Sequence, residues 1–110
     1  MSIEHRKLRR RLSKWQATCQ LPDGNYFTGD IKDFTPVGLF VHPDAIALRA
    51  REKDVLRCWF RTNGEEIEIR AVVRWKGISV RHQCFGLGLQ FLCESQLLAQ
   101  LYNEPVQLAA

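Results

Sequence analysis

From Trp15 onward apolar residues take every second place: Trp15, Ala17, Cys19 and Leu21 alternate with Gln16, Thr18 and Gln20. A period of two marks a strand with one buried face, because successive side chains leave a strand on opposite sides. "PDG" at Pro22–Gly24 follows as a turn, with Pro supplying a fixed φ and Gly a positive one. "NYFTGDIKDF" and "VGLFV" read as the second and third strands. Leu56, Cys58 and Phe60, alternating with Arg57, Trp59 and Arg61, make a fourth. "TNGEE" then turns the chain, since Asn-Gly suits a tight hairpin.

The strongest pattern is "EIEIRAVVRW", where Ile67, Ile69, Ala71, Val73 and Trp75 share the inward face. Its expected partner is "CFGLGLQF", with Phe85, Leu87, Leu89 and Phe91 inward and glycines where a barrel bends or backbones approach closely. The period changes in "ESQLLAQLY": Leu97, Leu98, Leu101 and Tyr102 fall on one helical stripe, with Ser95 as N-cap. "HPDAIALRAREKD", from His42 to Asp54, has no strand pattern and is expected to be a loop with room for a helical turn.

Six or so short antiparallel strands in 110 residues remove their exposed edges best by closing. The expected fold is therefore all-β with a C-terminal helix: a small six-stranded antiparallel β barrel with the helix packed on it. An open sheet with a helix on one face is the alternative. The expected organisation is a flexible basic N-terminal arm (1–14), the barrel with its helix (15–104) and a tail (105–110).

Charge sharpens this division. Arg6, Lys7, Arg9, Arg10, Arg11 and Lys14 face only Glu4 in the first fourteen residues, a local net of +5. The remainder holds ten Lys/Arg against eleven Asp/Glu, a net of −1, so the overall +4 belongs to the arm. A basic arm on a near-neutral body points to a local anion site rather than to a surface for any nucleic acid. No apolar run approaches the ~20 residues of a membrane span, and the chain is expected to be soluble and cytoplasmic. Cys19, Cys58, Cys84 and Cys93 lack the close spacing of a zinc or redox site, and Cys19 and Cys58 occupy apolar strand positions. His5, His42 and His82 are expected to stand alone, without pairing to an acid or a nucleophile. No catalytic constellation and no cofactor or metal site emerges, and an enzyme is not expected.

Two stretches carry chemistry. "DFTPVG" offers the Asp33 carboxylate, able to accept from the N1–H and N2–H of a guanine, and the Thr35 hydroxyl, able to donate to a phosphate or cap a turn. Gly38, lacking a Cβ, allows a close approach. In the arm, Arg6 and Arg10 form an R-x-x-x-R pair, and arginine grips phosphate or the guanine O6/N7 edge with two parallel hydrogen bonds.

"RKLRR" followed by "DFTPVG" resembles the R-x-x-x-R and D/N-x-S/A-x-x-G motifs of the PilZ domain family, receptors for the bacterial second messenger cyclic di-GMP. "GDIKDFTPVGLFV" resembles the family's second and third strands and "RAVVRW…FGLGLQF" its closing hairpin, so the resemblance runs over roughly residues 5 to 102. It implies a six-stranded barrel, in agreement with the alternation. It also implies that Arg6 and Arg10 grip guanine edges and phosphates, that Asp33 reads a guanine Watson–Crick edge, and that Thr35 and Gly38 fill the motif's small-hydroxyl and glycine positions. Thr35 departs from the commoner serine. Arg11 is an alternate, because Lys7 and Arg11 repeat the same spacing. The expected function is reception of cyclic di-GMP between arm and barrel face, signalled to an unidentified downstream protein.

Three other functions compete. A PilZ-like adaptor would act by protein–protein contact without cyclic di-GMP. An OB-type barrel would bind nucleic acid with stacked aromatics, but of Tyr26, Phe27, Phe34 and Phe40 most read as core. A basic amphipathic helix with Leu8, Leu12 and Trp15 on one side could lie on anionic lipid, although Trp15 fits the first strand and Leu8 or Leu12 is expected to pack on the barrel.

Overall fold

A computed structural model describes residues 11–44, 49–62 and 64–103. Within them the elements are β1 (Arg11–Leu12), β2 (Gln16–Gln20), β3 (Tyr26–Thr35), β4 (Gly38–Pro43), β5 (Val55–Thr62), β6 (Glu65–Ser79), β7 (Cys84–Phe91) and α1 (Gln96–Asn103). Six strands run in the order β3-β2-β5-β6-β7-β4, and β4 pairs back onto β3, so the sheet closes. Every pairing is antiparallel. This is the closed barrel, not the open sheet.

The alternation decides what lies inside. Ala17 and Cys19 of β2, Phe27 and Ile31 of β3, and Leu56 and Cys58 of β5 are all buried in one core. The turn at 22–24 behaves as its residues require: Gly24 has φ +93°, and Asp23 Oδ1 accepts from Asn25 N at 2.9 Å. α1 packs on the barrel beside β3 and adds Leu98 and Leu101 to the core. Ser95 Oγ accepts from Leu98 N at 3.2 Å as the N-cap, while Leu98 and Leu101 are buried. Tyr102 meets Phe34 edge-on at 6.2 Å, and Trp15 stacks over Phe60 at 5.7 Å.

Three expectations change. Arg11 and Leu12, assigned to the arm, form β1 and pair with Phe34 and Asp33. This extended pairing is incompatible with an amphipathic helix through Leu12, whose side chain is 70% exposed rather than packed on the barrel. Trp75, expected inside, points outward. The arm through Arg10, the helical turn expected within 42–54 insofar as it falls on 45–48, and the 105–110 tail lie outside the described residues.

Two β-bulges explain the outward residues. On β3 the register passes from Ile31↔Val41 to Asp33↔Phe40, leaving Lys32 as the extra residue. On β6 it passes from Val73↔Leu89 to Trp75↔Gly88, leaving Arg74 extra. An extra residue reverses the inside–outside alternation beyond it. Ile31 therefore points in and Asp33 out, and Val73 points in while Trp75 turns out.

Candidate ligand-binding site

The bulges place Asp33, Phe40, Gly88 and Trp75 in one row across β3, β4, β7 and β6, on the outside of the barrel. Phe40 is 6% exposed although it lies outside the central core, because Trp75 and His82 cover it. The Trp75 and Phe40 ring centres are 5.8 Å apart, and Trp75 keeps 42% of its surface open to solvent. Around this row lies a cavity of about 420 Å³, whose lining includes Asp33, Thr35, Arg74, Trp75, Arg81 and Gln90.

Asp33 is the most deeply placed polar group of the site, 1% exposed. Its Oδ2 lies 2.5 Å from Nε2 of His82, an imidazole N–H donating to a carboxylate. A buried carboxylate requires such donors, since leaving it unmet costs several kcal/mol. The expectation that His82 stands without an acid is thus corrected: its partner is 49 residues away in sequence.

Thr35 Oγ1 accepts from Val37 N at 3.1 Å, fixing the turn into β4, and its hydroxyl proton can still donate toward the cavity. Gly38 opens β4 opposite Gln90 of β7. A Cβ there would fall against the carbonyl oxygen of Leu89, far inside the 3.0 Å below which real Cβ contacts essentially never occur. Its close neighbour in the fold is thus the backbone of β7.

Arg11 serves the helix. Its Nη1 donates to Leu101 O at 2.5 Å and Tyr102 O at 3.0 Å. The last turn of α1 has no basic residue of its own, so Arg11 supplies the cation that its exposed carbonyls and dipole favour. Arg6 and Arg10 lie outside the described residues. In the described part of the chain, β1 runs along β3 with Leu12 paired to Asp33, a residue that lines the cavity.

The family model of the PilZ domain matches residues 4–103. This chain is a PilZ domain. A search of curated proteins finds no match to the sequence. Among solved structures, the PilZ fold seen here is similar to the Bacillus subtilis inhibitor of motility (MotI/DgrA), with a TM-score of 0.71 and 19% identity over 87% of this chain. That alignment covers 48% of the other protein, so this PilZ domain spans about half its length. The likeness is one of fold.

Trp75, Arg74, Arg81 and His82 escaped sequence reasoning as site residues. A bulge cannot be read from alternation, so Trp75 counted as core, and His82 lies on a turn whose position depends on barrel closure. Among the described residues no group of three or more His, Cys, Asp or Glu could hold a metal ion. Nor is any described helix long and apolar enough to cross a membrane.

Proposed function

We propose that this PilZ domain is a cytoplasmic, non-catalytic receptor for cyclic di-GMP, held between the N-terminal arm and the outer face around Asp33, and that it signals to a partner protein. The observation that carries this is the pairing of Leu12, in β1, with Asp33, whose carboxylate lines the cavity. Asp33 can read the N1–H and N2–H of a guanine, and Trp75 offers an exposed face for a base or ribose. Arg74 and Arg81 add positive charge on the barrel side for the phosphates. Arg6 and Arg10 supply bidentate grips from the arm, each worth about 1–3 kcal/mol of base discrimination where it meets guanine. Arg11 can couple the arm to α1, because one guanidinium at the arm's base already holds the helix end. The fold shared with a protein named for inhibiting motility supports output through a partner.

The adaptor reading has one observation in its favour: the Asp33 carboxylate is already met by His82. Calorimetric titration separates the two. Saturable heat is expected with cyclic di-GMP, none with GTP or cyclic di-AMP, and loss of the heat in Arg6→Ala/Arg10→Ala and in Asp33→Ala. Absence of binding by a folded wild-type chain would leave the adaptor.

A further inference from the structure

His82 does more than hydrogen-bond to Asp33. Its ring lies nearly parallel to Phe40, 13° between planes and 5.3 Å between centres, while Nε2 reaches the Asp33 carboxylate at 2.5 Å. A flat nitrogen heterocycle stacked on an aromatic face, with a ring N–H donating into a buried carboxylate, makes the contacts that a guanine would make with the same two groups. Asp33's side chain is only 2% exposed and that of His82 11%, so the carboxylate is closed to a large base while the imidazole is in place.

We infer that His82 occupies the seat of the ligand's base in the free protein, and that cyclic di-GMP binds by displacing the imidazole from Phe40 and Asp33. This deepens the receptor reading and rests on it. The turn carrying His82 suits the exchange. It joins β6 to β7 through residues 80–83, and Val80, Arg81 and Gln83 around His82 are exposed, so a swing of the turn breaks few contacts. Ser79 Oγ accepts from His82 N at 3.1 Å, and Gln83 holds φ +53°, so the closed position is defined but carries a backbone conformation that side chains other than glycine adopt at a cost. Phe40 stays as the floor: a Cβ at Gly86 would collide with its ring, which shows how closely the ring lies on β7. His42, the other histidine nearby, is tied through Nδ1 to Phe85 O at 2.7 Å and takes no part.

A self-filled site lowers apparent affinity by the fraction of molecules in which it is open. A charge-assisted hydrogen bond with a ring stack holds that fraction at roughly one in ten or below. His82→Ala should therefore tighten cyclic di-GMP binding by about tenfold. His82→Phe keeps a ring on Phe40 but cannot donate to Asp33, and should fall between. The experiment is calorimetric titration of the three full-length proteins, with nitrogen-detected NMR of the His82 ring in the wild type before and after ligand. The expected result is the affinity order Ala, Phe, wild type, with loss of the hydrogen-bonded Nε2–H signal on saturation. Binding by the wild type with equal or weaker binding by His82→Ala overturns the displacement and leaves the receptor reading standing. No binding by the wild type or either variant overturns the receptor reading and the displacement with it. Binding by His82→Ala alone would show a seat that the ligand cannot take from the imidazole, which overturns both the displacement and the receptor reading of the wild type.

Discussion

Replacing Gly38 by Ala tests why the motif ends in glycine. A methyl at residue 38 would point at the Leu89 carbonyl, and Leu89 C and Gln90 Cα lie 3.3 and 3.4 Å from the same position. These are backbone atoms, so no rotamer change relieves the clash and β4 must part from β7. That separation loosens the Gly38↔Gln90 and Leu39↔Leu89 pairings, which help to close the barrel beneath the cavity. Overpacking costs about 1–3 kcal/mol, and each net backbone hydrogen bond lost adds about 1 kcal/mol. A loss of about 3 kcal/mol is expected, roughly 12–24 °C in melting temperature for a domain of this size. Gly88→Ala is the control: the nearest atom is Trp75 Cβ at 3.4 Å, ordinary contact, so stability should hold within about 0.5 kcal/mol. The assay is urea unfolding followed by circular dichroism, with amide exchange along β4 and β7. A Gly38→Ala protein as stable as wild type but weaker for ligand would refute this argument and return the glycine to the ligand.

Arg11→Ala should free the Leu101 and Tyr102 carbonyls and cost about 1–2 kcal/mol, seen as faster amide exchange across α1, with Arg11→Lys intermediate; unchanged exchange in α1 would show that the cap contributes nothing. Cys19 and Cys58 face each other inside the barrel with sulfurs 3.5 Å apart. The Cys58 hydrogen bond, then burial, then repulsion between the two ionised sulfurs push the Cys19 thiol far above the ordinary range. The folded state thus keeps a proton that the unfolded chain releases near pH 8.5, so stability is full below that pH and falls above it by up to about 1.4 kcal/mol per pH unit. Urea midpoints from pH 8 to 10.5 should show this slope and lose it in Cys19→Ala; an equal slope in the variant would assign it to other groups.

Alternation alone determined the strand order along the chain, the inward faces of β2 and β5, and the terminal helix with its Ser95 cap. A period of two or of 3.6 is a local property, and burial follows it wherever the ladder is regular. The motif residues Asp33, Thr35 and Gly38 were legible too, because their types and spacing are local. What alternation could not carry was each departure from regularity. One extra residue at Lys32 and one at Arg74 moved Asp33 and Trp75 to the outer face, and alternation by itself does not show at which residue its phase will shift. Barrel closure then set His82 beside Asp33 and Arg11 at the end of α1, contacts across 49 and 90 residues. Such pairs arise from packing rather than spacing. The sequence therefore named the carboxylate of the candidate site, while only the tertiary structure decided which way it faces and which side chain already holds it.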